Sequence, residues 1–165
     1  MSVVKEPTNP NVEKTIYLAV IGASKASPEI YELAVAIGRE AARRGWIVVT
    51  GGLGGVMEAA ARGAREAGGL TLGILPGGDR GEANPYIQVA VATRIHHARN
   101  SIIAHTADAL IAVDGEYGTL SEIALGLKLG KPVIGLKTEW KIPGVVPVNS
   151  PNEAIEKAIA LLKRG

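Results

Sequence analysis

The chain has 165 residues, 47% of them hydrophobic and 21% charged, with a formal net charge of +2, the balance of one globular domain with a sizeable core. So small a charge, without a block of lysine or arginine, argues against nucleic acid and anionic membrane surfaces as partners. The absence of cysteine excludes disulfides, thiolate chemistry and cysteine-based metal sites; no apolar run approaches a membrane span or a signal-peptide core, so a cytoplasmic protein is expected.

Residues 1–14, with two prolines, two asparagines and mixed charge, read as a loose lead, and 15–165 as a single domain. Residues 15–21 are apolar and β-rich, a buried first strand leading to Gly22 and Ser24. Ser27, Pro28 and Glu29 form a helix start of cap, first-turn proline and acid. Ile30, Leu33, Ala34, Ile37 and Ala41 then recur at helical spacing, and Arg43 and Arg44 suit the helix C-terminus. Residues 46–50 make the second strand, with Trp46 in the core. It delivers a glycine turn to a helix over 56–66, whose alanines and glycines predict close backbone packing on the sheet. Residues 70–75 form the third strand and the polar residues 76–86 a mobile surface loop. Strand content within 87–95 is strongest at 89–93. A short helix over 97–106 precedes the buried strand 109–113 and a turn into a helix over 119–129, stopped by Gly130 and Pro132. Residues 132–136 read as another strand, 137–149 as a loop and 151–163 as a terminal helix.

Helices thus alternate with strands that are continuous apolar runs, the signature of a parallel sheet covered on both faces. The fold class is α/β: a Rossmann-like, three-layer α/β/α domain with a mainly parallel, doubly wound sheet. Ligands of such sheets bind beyond the C-terminal strand ends. Two glycine-rich turns lie on that edge and open helices, so free N–H groups and the positive dipole end converge on an anion. The turn after the first strand is not G-x-G-x-x-G, the second strand ends in Thr50 rather than an acid, and no Walker motif occurs; NAD and ATP roles are disfavoured. Thr119 and Glu122 also fit a capping box, as N-cap and third helical residue. His96, His97 and His105 have no acid triad beside them, and no metal site is expected.

From about residue 16 to residue 136 the pattern resembles the LOG ("lonely guy") family, long labelled "possible lysine decarboxylase", a Rossmann-like superfamily related to DNA-processing protein A. The family's G-G-G-x-x-G-x-M segment is matched by Gly51, Gly52, Gly54, Gly55 and Met57, its A-G-G by Ala67, Gly68 and Gly69, and its I-P by Ile74 and Pro76. Its R-K pair, nine residues before an Asp, corresponds to Arg99 and Asn100 before Asp108. Its P-G-G-x-G-T-x-x-E signature runs from Asp114 to Glu122. By this resemblance Arg99 and Glu122 are the catalytic pair. The ligand- and phosphate-binding residues are Gly22, Ser24 and the 51–57 set on one side, and Gly115, Glu116, Tyr117, Gly118 and Thr119 on the other.

The implied activity is that of a phosphoribohydrolase, which cleaves the N-glycosidic bond of a nucleoside 5′-monophosphate to free base and ribose 5-phosphate without a required cofactor. A developing oxocarbenium ion favours a nearby carboxylate, and a planar guanidinium suits an anionic group. Asp114, Glu116 and Asn100 depart from the family's Pro, Gly and Lys. With the short chain, they resemble the molybdenum-cofactor carrier branch. That implies the alternative, a non-catalytic protein that binds molybdenum cofactor, a phosphorylated pterin, and in which Glu122 is only a cap. Either way the partner is a small phosphorylated ligand, and the family implies a homodimer or homotetramer.

Overall fold

The computed structural model describes residue 9 and residues 15–164; apart from Asn9, the lead expected over 1–14 lies outside the described residues. Seven strands form one sheet: β1 (Tyr17–Gly22), β2 (Ile47–Thr50), β3 (Thr71–Leu75), β4 (Val89–Ala92), β5 (Ala109–Val113), β6 (Val133–Leu136) and β7 (Val146–Val148). Their order is β4-β3-β2-β1-β5-β6-β7, and every neighbouring pair is parallel. The helices among the described residues are α1 (Pro28–Arg43), α2 (Val56–Glu66), α3 (Arg99–Thr106), α4 (Tyr117–Lys128) and α5 (Pro151–Leu162). The chain is an α/β Rossmann-like domain, as its alternation of elements predicts.

The central strands β1, β5 and β6 are buried on both faces because each face carries its own helices, whereas the edge strand β4 is largely exposed. Leu18 and Val20 of β1 join the core beneath α1, α2 and α5, whereas Ala19 and Ile21 join the core beneath α3 and α4. Local signals set the ends of the helices. The Ser27 hydroxyl accepts from the Ile30 N–H at 3.2 Å with Pro28 in the first turn. At α5 the Ser150 hydroxyl accepts from the Glu153 N–H at 3.1 Å, and the Glu153 carboxylate accepts from the Asn149 N–H at 2.8 Å. The close packing expected of α2 is helix on helix. A Cβ at Gly38 of α1 would stand 1.9 Å from the Ala60 carbonyl oxygen, and one at Gly63 of α2 would stand 1.9 Å from that of Val35.

Three expectations need correction. Residues 137–149 are not all loop: β7 pairs with β6 and places Pro147 opposite Gly135. A three-residue edge strand with a central proline carries little strand signal, and an edge is where proline is tolerated. The segment 76–86 is anchored rather than free. Asn84, 9% exposed, donates from its side chain to the Leu53 carbonyl at 2.8 Å and from its backbone to that of Gly52 at 2.9 Å. The third correction concerns the helix after β5. It begins at Tyr117, with extended Glu116 as its N-cap, so Thr119 is the third helical residue and the capping box at Thr119 and Glu122 does not form.

The order of the strands reverses between β1 and β5, whose ends pair Gly22 with Val113. A crevice beyond those two C-terminal ends is where this topology receives a ligand. Asp108 belongs to the other edge of the sheet. Its carboxylate accepts from the Tyr17 N–H at 2.8 Å while its own N–H donates to the Tyr17 carbonyl at 2.8 Å, which pins the start of β5 to the start of β1.

Candidate functional site

A cleft of about 280 Å³ opens at this reversal, just under the range common for small-molecule sites. Four chain segments wall it: Gly22 to Ser24 after β1, Leu53 and Met57 from the β2–α2 turn, His97 to Asn100 at the start of α3, and Glu116 to Glu122 at the start of α4. Its polar residues are unusually deep: Arg99 is 7% exposed, Asn100 3%, Thr119 3% and Glu122 6%.

Local backbone explains how they get there. Asp114 holds a left-handed φ of 53° and Gly115 a φ of 129°, so β5 turns sharply into α4. Aspartate tolerates this region; the family's proline, locked near −65°, does not, and the turn here is of a different kind. A Cβ on Gly115 would lie 2.6 Å from the Thr119 side chain, which seats Thr119 beneath the turn. Nothing lies within 4 Å of a Cβ added at Gly118, so the first turn of α4, which lines the cleft at Gly118 and Thr119, is open at that position.

Arg99 is clamped. A Cβ at Gly51 would stand 2.7 Å from its Nη2, so only glycine leaves room for the guanidinium on that side. On the other side Arg99 Nη1 donates to the Asn100 side-chain oxygen. The Asn100 amide donates to the Ser121 hydroxyl at 3.0 Å, and that hydroxyl donates to the Gly118 carbonyl at 2.6 Å. Arg99 Nε is buried and has no partner among the described residues. Burial pulls the Arg99 guanidinium below its usual value, with the negative charge of Glu122 opposing.

The Glu122 carboxylate makes no hydrogen bond or ion pair to any described residue. Burial pushes its carboxyl up to about 7, against the pull of the Arg99 charge. A carboxyl that titrates near neutrality in a cleft, opposite a guanidinium, is a group poised for proton transfer. It also stores a stability cost with a definite sign. The folded state holds the proton more tightly than the unfolded chain, so stability is lost as pH rises from about 4.5 to about 7 and stays lost above that. At about 1.4 kcal/mol per pH unit of displacement, the stability of Glu122→Gln relative to the parent is expected to rise by about 3 kcal/mol between pH 4.5 and pH 8. Denaturant melts across that range check this; a flat difference would mean that the carboxyl titrates normally.

The structure gathers Arg99, Glu122, Gly22, Ser24, Met57, Glu116, Gly118 and Thr119 around one cleft. It places the other ligand residues outside the lining. Gly51 backs Arg99, Gly52 packs on Leu75, Gly54 and Gly55 approach the backbone of Ala23 and Ser24, and Gly115 packs on Thr119. Tyr117, 86% exposed, is outside the lining as well. Sequence reasoning missed Ile21, Ala23, Leu53, His97 and Asn100 as lining residues. His97 stands two positions before Arg99, a proximity that is visible in the sequence once the arginine is taken as the anchor.

Comparison with known proteins places this geometry. A family model described as the SLOG cluster4 family matches residues 15–160. An uncharacterized protein of Archaeoglobus fulgidus is 44% identical over 147 residues, which cover 89% of this chain and 97% of that one. The cytokinin riboside 5′-monophosphate phosphoribohydrolase of Mycobacterium marinum is 37% identical over 105 residues, 61% of this chain and 56% of that one; the chain spans about half of that relative. Among solved structures, the molybdenum cofactor binding protein of Rippkaea orientalis superposes with a TM-score of 0.82 at 35% identity, covering 92% of this chain and 97% of that one.

Proposed function

Since the chain belongs to the SLOG cluster4 family, we propose that its cleft binds a small phosphorylated ligand and hydrolyses the N-glycosidic bond of a nucleoside 5′-monophosphate. The observation that carries this reading is a buried Glu122 in the same cleft as Arg99, its carboxyl engaged by no described residue and pushed up to about 7 by burial. The phosphoryl group rests on the first turn of α4 at Gly118 and Thr119, where backbone N–H groups and dipole favour it, and Arg99 supplies the countercharge.

In the reaction the C1′–N bond breaks and its electron pair leaves with the base, while a water oxygen bonds to C1′. Ionised Glu122 stabilises the positive charge that develops on the ribose and takes the proton released by the water; the departing base takes one proton from solvent and Glu122 returns one to it, which restores the carboxylate. The Mycobacterium marinum relative, a phosphoribohydrolase by name, supports the assignment.

A second reading, non-catalytic binding of molybdenum cofactor, is favoured by the likeness to the Rippkaea orientalis protein over nearly the whole of both chains. One experiment separates the two. The full chain is incubated with a panel of nucleoside monophosphates, Glu122→Gln is run beside it, and free base is measured by chromatography. Base release by the parent, rising with pH through about 7 and lost in Glu122→Gln, is the expected result. Absence of release from every substrate, together with calorimetric binding of the pterin cofactor, would leave the carrier reading.

A further inference from the structure

We propose that Asn100 is a positioning residue, which together with Ser121 holds the Arg99 guanidinium in place and ties it to the first turn of α4, setting the geometry of the anion site. The inference rests on the reading of the cleft as a phosphoryl site. Its physical basis is a hydrogen-bond chain with a single direction. Arginine only donates, so it needs an acceptor, and the Asn100 carbonyl oxygen provides one. The Asn100 amide donates onward to Ser121 at 3.0 Å, and Ser121 donates onward to the Gly118 carbonyl at 2.6 Å. Each link donates toward α4, so the Arg99 Nη1 donor depends on the Asn100 oxygen.

Burial stiffens the Arg99–Asn100 end of this linkage, whereas Ser121 at its far end is exposed. Asn100 is 3% exposed and Arg99 7%, so neither group has bulk water to substitute for a lost partner. With Gly51 leaving room on the opposite side of Arg99, the guanidinium is held between a backbone wall and one amide. Lysine, which carries no acceptor, cannot do what Asn100 does here. The chain therefore couples two halves of the anion site, the cation from α3 and the N–H groups from α4, that no backbone hydrogen bond among the described residues joins directly.

The test is a double-mutant cycle on Arg99 and Asn100 in the full chain, read by calorimetric titration with AMP and by NMR of arginine side chains labelled with nitrogen-15. Asn100→Ala is expected to weaken AMP binding about tenfold in the parent and to have no further effect in the Arg99→Ala background, because it acts through Arg99. In the ligand-free protein the separate Arg99 Nη–H signals of the parent are expected to merge in Asn100→Ala as the guanidinium begins to rotate. Asn100→Asp, which keeps the shape of the side chain but loses the donor and neutralises Arg99, is expected to weaken AMP at least as much. An equal loss of affinity in both backgrounds, or Arg99 signals unchanged by Asn100→Ala, overturns the proposal. Merged signals in a chain whose parent binds no AMP would instead retain the positioning role and refute the phosphoryl reading.

Discussion

Arg99→Ala is expected to weaken binding of AMP about a hundredfold and to end base release, the largest effect of any single substitution in the cleft. Charge-assisted hydrogen bonds contribute about 1.5–3 kcal/mol each, and one such group lost from a buried anion site removes between about one and two orders of magnitude. A second effect adds to it. The Arg99 charge is the influence that opposes burial at Glu122; without it the carboxyl rises further and is protonated at neutral pH, so the ionised form needed for hydrolysis disappears as well. Arg99→Lys should recover little, because the planar fork fits between Gly51 and Asn100 and a point charge on a flexible stem does not reproduce it. Titration of parent and variants with AMP at pH 6 and pH 8 measures this. A dissociation constant within threefold of the parent would remove Arg99 from the anion site.

On stability, the largest expected loss follows from Gly38→Val and Gly63→Val. A Cβ at either position would meet a carbonyl oxygen of the facing helix at 1.9 Å, and backbone cannot step aside as a side chain can. Helices α1 and α2 would have to separate along their whole contact. Overpacking typically costs about 1–3 kcal/mol; a backbone clash belongs at the upper end, and at this chain length about 3 kcal/mol lowers the melting temperature by roughly 10 °C. Gly118→Ala is the comparison, since nothing stands within 4 Å of its Cβ, and there the greater helix propensity of alanine should offset any loss. Thermal melts decide it: a fall of under 3 °C in Gly38→Val would mean that the helices are not so close.

Much of this architecture is legible in the sequence, and the illegible parts share a cause. The strand over 109–113 and the helix over 56–66 emerge with the same bounds in the structure, because an apolar run between turns and an alanine-rich amphipathic run are both local patterns. Arg99 and Glu122 are singled out by the family resemblance, and the structure brings both to one cleft although 23 positions separate them in the chain. The capping reading of Thr119 and Glu122 failed for a local reason. A threonine three residues before a glutamate looks the same at the N-cap as it does one turn later, and only the extended backbone at Glu116 distinguishes the two. What the sequence hides is contact between remote segments. Asn84 binding the 51–55 turn, and Asn100 meeting Ser121, are invisible to any window that reads one stretch at a time.

The reversal of strand order has a further consequence. One side of the sheet, from β1 out to β4, is built by residues 17–92 and the other, from β5 out to β7, by residues 109–148. The cleft lies on the seam, and neither half of the chain carries both the Gly22 and Met57 wall and the Arg99 and Glu122 wall. A bound ligand therefore acts as a clasp between two fragments of one polypeptide. Its binding energy resists their parting as well as filling a hole, so ligand occupancy and the integrity of the whole sheet rise and fall together.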